Sequence, residues 1–174
     1  ASGCQCYWMW APLNFKDFRS HYFVNQDASG AAWNENAVLV PKIGGGPELQ
    51  MAHCHLSIEY QPGTRFARTA TIEMTSAAGA DYSVILTPSW NFYMKGLGYG
   101  HPTHRHGSYH GDLSVIRERY RTDSVTPDNV HVQALCRAEL TTDAGQEVGQ
   151  GVLEQLVIGP HAPSGFKALL DFAS

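Results

Sequence analysis

Between residues 49 and 61 the side chains alternate. Ala52, Cys54, Leu56, Ile58 and Tyr60 share one parity, and His53, His55, Ser57 and Glu59 share the other. A strand sends successive side chains to opposite faces, so a period of two predicts a sheet with one face in a core and the other in water. Residues 130–141 repeat the pattern, with Val132, Ala134, Cys136, Ala138 and Leu140 set against His131, Gln133, Arg137 and Glu139. Residues 65–75 carry Ala70, Ile72 and Met74 on one face, and 147–158 carry Val152, Leu156 and Ile158 with Glu154 among them.

Shorter runs at 7–15, 21–25, 32–40, 82–87, 90–97 and 112–121 also read as strands, with Pro12 marking the first as an edge or bend. Turn chemistry separates them: Asp27 to Gly30, the Gly44-Gly45-Gly46-Pro47 loop, Pro62-Gly63, residues 77–81 and Asp143-Ala144-Gly145. One short helix is predicted over 164–172. About nine strands joined by sequential hairpins point to an all-β fold, an antiparallel lipocalin-like β-barrel, with a β-sandwich as the alternative. Closing the sheet removes its exposed edges, and barrels of this size commonly hold one small ligand.

Length and charge narrow the class. A chain of 174 residues suffices for one domain with a real core. A net charge of −4 argues against nucleic-acid partners and polybasic membrane contacts. No apolar run approaches the ~20 residues of a membrane helix, so no membrane span is expected. The start lacks an initiator Met and a signal peptide and enters an aromatic run within a few residues, which reads as a piece of a longer protein. Of the four cysteines, Cys54 and Cys136 lie on apolar strand faces as free thiols, and Cys4 and Cys6 form a C-x-C pair. A reducing, cytoplasmic location follows from that usage.

Candidate chemistry concentrates in residues 96–112, GLGYGHPTHRHGSYHGD, where His101, His104, His106 and His110 share a glycine-rich stretch. A histidine facing a pocket with a carboxylate partner can shuttle a proton. His101, His106 and His110 are the candidate acid or base, with Asp112 or Glu154 orienting the ring. Glu154, sharing a face with apolar neighbours, is a candidate buried carboxylate, with pairing to an arginine as the plainer reading. His104 and His106 stand about 6.6 Å apart along a strand and could share an ion, as could His53 and His55. His106 and His110 at ~13 Å could share one only across a bulge. No cofactor is favoured, and a transition metal on His104 and His106 is the alternative. Trp8, Trp10, Trp90, Phe92, Tyr99 and Tyr109 are either barrel core or the wall of a cavity for a flat or isoprenoid molecule. Arg65 after the Pro62-Gly63 turn is expected to form a salt bridge.

Several stretches together resemble a known family: YWMWAPLNF (7–15), the Asp27 to Trp33 run, PGTR (62–65), GYGHP with the following HG and HGDL (98–113), and GVLEQLVIGPHAPSGF (151–166). The resemblance is to distant relatives of carotenoid hydratases and AttH-like proteins, which are tandem lipocalin-like barrels. It implies that residues 1–174 form one barrel, the C-terminal half of a two-barrel protein, with the N-terminal barrel as partner and a hydrophobic small molecule as ligand. It further implies cofactor-independent hydration, dehydration or isomerisation of a terpenoid- or steroid-like compound, with His101, His106, His110 and Glu154 at the marked positions. His104 departs from that pattern, where an aromatic residue is expected. A non-catalytic carrier and a His-ligated metalloenzyme are the rival readings.

Overall fold

A computed structural model of the chain describes residues 6–42, 44, 46–94, 103–104, 108–127 and 129–174. Eight antiparallel strands form a closed barrel in sequence order: β1 (Cys6–Asn14), β2 (Phe18–Gln26), β3 (Ala32–Pro41), β4 (Leu49–Tyr60), β5 (Ala67–Ser76), β6 (Asp81–Tyr93), β7 (His131–Thr142) and β8 (Gly145–Ile158). The lipocalin-like expectation holds. β1 pairs with β8, and that pairing makes a barrel rather than a sandwich.

The parity read from the sequence becomes inside and outside. Met9, Ala11 and Leu13 of β1 meet Tyr22 and Val24 of β2, Ile72 and Met74 of β5, Val84 and Leu86 of β6, and Ala134, Cys136, Ala138 and Leu140 of β7 in one buried cluster. Cys54 and Cys136 point inward as free thiols, with burial pushing Cys136 up to about 12. The seam needs glycine. A Cβ on Gly151 would sit 2.2 Å from the Pro12 carbonyl oxygen, and one on Gly149 would sit 2.2 Å from that of Asn14. β1 can therefore press against the inner face of β8 only where that strand has no side chain.

Three sequence expectations differ from the fold. The run at 82–87 and the start of the run at 90–97 fall on one strand, β6, with a register shift against β7 between Pro88 and Trp90, and residues 95–97 lie outside the described residues. Proline lacks the N–H a regular ladder needs, so the shift sits beside it. Residues 112–121 are irregular, with Leu113 and Val115 93% and 90% exposed. Alternation there predicted a strand, but a strand needs a neighbour to bond, and none pairs with it among the described residues.

The helix expected at 164–172 is replaced by a short 3-10 turn (Ala162–Ser164) and a bridge between His161 and Phe166. Gly165 stops the turn in the left-handed region at φ 75°. The following backbone carbonyls are claimed by Arg65, which is fully buried. Its Nε donates to the Asp171 carbonyl, Nη1 to those of Val157 and Gly159, and Nη2 to that of Ala168 and to Asp171 Oδ1 at 2.7 Å. All five guanidinium N–H groups are used, and the Phe166 ring lies 4.2 Å from the guanidinium carbon. The salt bridge expected of Arg65 is thus present. It clamps the C-terminal segment across one end of the barrel.

The same end holds His161, stacked on Tyr7 at 4.0 Å, with Nδ1 facing Ser164 Oγ and Nε2 facing Gln26 Oε1. Burial pulls its pKa from 6.5 down to about 4, the neighbouring Arg65 acting in the same direction and Asp27 opposing.

Removing the guanidinium leaves four carbonyls and a carboxylate without their donors. Arg65→Met is expected to lower unfolding free energy by about 3–5 kcal/mol, read by urea denaturation. A loss below 1 kcal/mol would contradict the clamp. His161 is neutral when folded and charges more readily when unfolded, so its contribution is present above pH 6.5 and is lost as the pH falls towards 4. Over that window the wild-type stability curve should be steeper than that of His161→Gln by close to one proton, and parallel curves would contradict the assignment.

Candidate functional site: the outer wall around Glu154

Inward parity on β1 and β8 leaves Trp8, Trp10, Val152, Glu154 and Leu156 facing outward. Strand register then assembles an outer wall five strands wide, about 20 Å across. Its central row runs Phe23, Trp10, Glu154, Gln133, Phe92. One row holds Asn25, Trp8, Leu156 and His131, and the other holds His21 and Pro12 with Val152, Leu135 and Trp90. Glu154 is the single carboxylate in these rows.

Although it points out of the barrel, the Glu154 side chain is only 17% exposed. Trp8 Nε1 donates to Oε1 at 3.0 Å, His131 Nε2 lies 3.3 Å from the same oxygen, and Gln133 Nε2 donates to Oε2 at 2.8 Å. Direct and diagonal cross-strand neighbours supply all three, which is why no sequence motif announces them. The His131 hydrogen bond holds the Glu154 carboxyl below its ordinary value, partial burial opposes this, and Gln133 and Trp8 add to the lowering. A carboxylate oxygen accepts about two hydrogen bonds, so Oε2 keeps room for one more donor. Beside it, Trp10 Nε1 donates to His21 Nε2 at 2.6 Å, and Phe23 stacks on Trp8 at 5.9 Å.

Along the wall from Gln133, Trp90 and Phe92 are exposed and 6.3 Å apart. A cavity of about 440 Å³ opens there, between the end of β6 (Trp90, Phe92, Tyr93, Met94) and the crossing residues Arg119 and Tyr120. The Tyr120 hydroxyl donates to the Tyr93 carbonyl at 2.6 Å and fixes the crossing. That volume suits a small organic molecule.

Residues 1–167 match the model of the family of unknown function DUF8625. The chain belongs to that family. A comparison with curated proteins finds no match. Among solved structures the chain is similar to kievitone hydratase from Nectria haematococca, with 9% identity and a TM-score of 0.44, over 90% of this chain and 41% of that one. The chain thus spans less than half the length of that structure.

Of the residues singled out from the sequence of this family member, His101, His106 and Tyr99 lie outside the described residues, as does Cys4. His104 and His110 come together with ring centroids 4.0 Å apart, and Thr103 Oγ1 lies 2.9 Å from His104 Nδ1. Asp112 is bonded by the Tyr109 hydroxyl at 2.6 Å, and no contact joins His110 to Glu154. Among the described residues no group of three or more His, Cys, Asp or Glu is arranged to hold a metal ion. His53 and His55 are exposed on the outer face of β4. Trp8, Trp10, Trp90 and Phe92 all stand on the outer wall, and Glu154 pairs with a histidine instead of an arginine. His131, Gln133 and His21 escaped the sequence reading. Their only signal was polar parity on strands beside an apolar face.

Ionised Glu154 stabilises the fold above pH 4.5, and that contribution disappears as the pH falls through its lowered value. The stability advantage of wild type over Glu154→Gln should be present at pH 7 and gone at the acid end of a denaturation series. A difference constant with pH would show that the carboxylate is not held as described.

Proposed function

We propose that this barrel binds an apolar small molecule, terpenoid- or steroid-like in class, on the outer wall between Trp90 and Trp8. There it carries out proton transfer, in the form of hydration, dehydration or isomerisation. Glu154 and His131 are the acid–base pair: the carboxylate holds the imidazole by Nε2, and Oε2 accepts from a hydroxyl or attacking water. Trp90 and Phe92 supply the apolar contact, and Gln133, beside Phe92 and bonded to Glu154, links cavity to carboxylate. The observation that carries the reading is a three-donor carboxylate, largely shielded, at the centre of an aromatic wall that opens into a cavity.

The chemistry calls on no metal or organic cofactor. The reading keeps residues 1–174 as one barrel of a two-barrel protein, whose N-terminal barrel would cover the wall. Free thiols at Cys54 and Cys136 suit a reducing cytoplasm. No helix among the described residues is long and apolar enough to cross a membrane.

Solvent-deuterium incorporation tests it. A panel of terpenoid and steroid alkenes incubated in heavy water should gain deuterium at a carbon with wild type. Glu154→Gln and His131→Gln should each lower the rate at least a hundredfold, with binding measured by Trp fluorescence changed little. Binding without incorporation would turn the assignment to a carrier. Near-stoichiometric metal whose removal abolishes activity would turn it to the metalloenzyme reading at His104 and His106.

A further inference from the structure

The barrel wall is incomplete on one side of its clamped end. β5 pairs with β6 only from Ala70 opposite Leu86 to Thr75 opposite Asp81. β6 nevertheless continues to Tyr93, bonded on its other edge to β7. Beyond Leu86, therefore, residues 87–93 have no β5 partner. Along that stretch of β6 lies a cavity of about 390 Å³, lined by Gln61, Pro88, Trp90, Asn91, Tyr93 and Thr122. It shares Trp90, Asn91, Tyr93 and Thr122 with the 440 Å³ cavity on the other side of Trp90.

Gln155 lies on the inner face of β8 and is 0% exposed. Its Oε1 accepts the Ala67 N–H at 2.7 Å, so the side chain reaches across to the first residue of β5, the lip of the opening. That bond fixes which end of the amide is the oxygen, so the remaining donor is Nε2. Among the described residues Nε2 has no hydrogen-bond partner. Ala67 has Gln155 on its inner side. Its carbonyl accepts from Nε2 of Gln61, a wall residue of the cavity, at 3.3 Å. Phe66, buried next to Ala67 in sequence, meets Tyr93 of the cavity lining edge to face at 5.8 Å. Buried amide donors in folded proteins are almost always satisfied, and this one, fully buried and without a partner, stays available to an acceptor.

We propose that Gln155 Nε2 is a specificity-determining donor: the ligand enters between β5 and β6 and places a carbonyl oxygen beside Phe66 and Tyr93, where it accepts the Gln155 hydrogen bond. This rests on the proposed apolar-ligand site and adds the polar group that its ligand must carry. The remaining apolar body lies against Trp90 and continues towards the outer wall. The ligand class is therefore a flat or polycyclic ketone or enone, and the carbonyl end is the one that enters the barrel.

A matched pair of probes tests this: 2-acetylnaphthalene, with a carbonyl, and 2-ethylnaphthalene, of the same shape without one. Affinities are read by quenching of tryptophan fluorescence in wild type and Gln155→Leu. The ketone-to-hydrocarbon affinity ratio is expected to be about tenfold higher in wild type, the worth of one buried hydrogen bond. An equal ratio in the two proteins, with both probes bound, overturns the role of Gln155 and leaves the apolar site standing. Failure of both probes to bind wild type overturns the site and this inference with it. Should Gln155→Leu fail to fold, the infrared carbonyl band of ¹³C-labelled 2-acetylnaphthalene decides with wild type alone. A shift to lower frequency than in hexane supports the hydrogen bond, and an unshifted band overturns it.

Discussion

A guanidinium cannot give up its charge, so burying one requires a partner for each of five N–H groups in a fixed plane. Arg65 finds them on Val157, Gly159, Ala168 and Asp171, about a hundred residues away in sequence. The C-terminal segment has no choice of path once that cation is inside: it must cross the end of the barrel and present its carbonyls inward. Asp171 completes the arrangement by accepting the N–H groups of Lys167 and Ala168, which lower its pKa and keep it charged. The tail also bonds the PGTR turn directly, with Gly63 N–H on the Ala173 carbonyl and Ala173 N–H on that of Thr64. His161, Phe166 and Tyr7 then pack beneath as a lid of aromatic rings.

Closing one end has consequences for function. Among the described residues the lid and the packed interior leave no direct route along the barrel axis from that side, and the proposed site lies on the wall instead. There two constraints act in opposite directions. The β1–β8 seam is drawn tight by glycines, which brings Trp8 and Trp10 beside Glu154. The β5–β6 ladder ends at Leu86, two residues before Pro88, and a cavity lies along the rest of β6. The polar groups that remain are those an apolar ligand could use: a shielded carboxylate outside, a buried amide inside.

Much of the architecture was legible in the order of residues. Period-two alternation over 49–61 and 130–141 specified strands and most of their inward sets, with Cys136 buried and Cys54 half-buried, because one face of such a strand must lose water. Ala52, read as inward, is exposed at a bulge where Met51 packs on the core instead. Turn residues set the hairpins. Where the sequence reading went astray it lacked a neighbour. Residues 112–121 alternate like a strand but have nothing to bond, and 164–172 have helix-like spacing in a stretch whose carbonyls serve Arg65. β8 shows the limit most clearly. Val152, Leu156 and Ile158 are as hydrophobic as Leu153 and Val157, so its apolar character on both faces does not say which set is inside.

By itself the sequence determined the strand content, the meander, and an arginine that needed an anion. Only the tertiary structure decided that Glu154 faces outward, that His131 and Gln133 meet it, and that Gln155 rather than its neighbour enters the core. The reason is geometric. A one-residue difference in register exchanges the two faces of a strand, and register is fixed by the closure of the whole barrel, through Gly151 against Pro12 and β1 against β8, not by any residue's own preference.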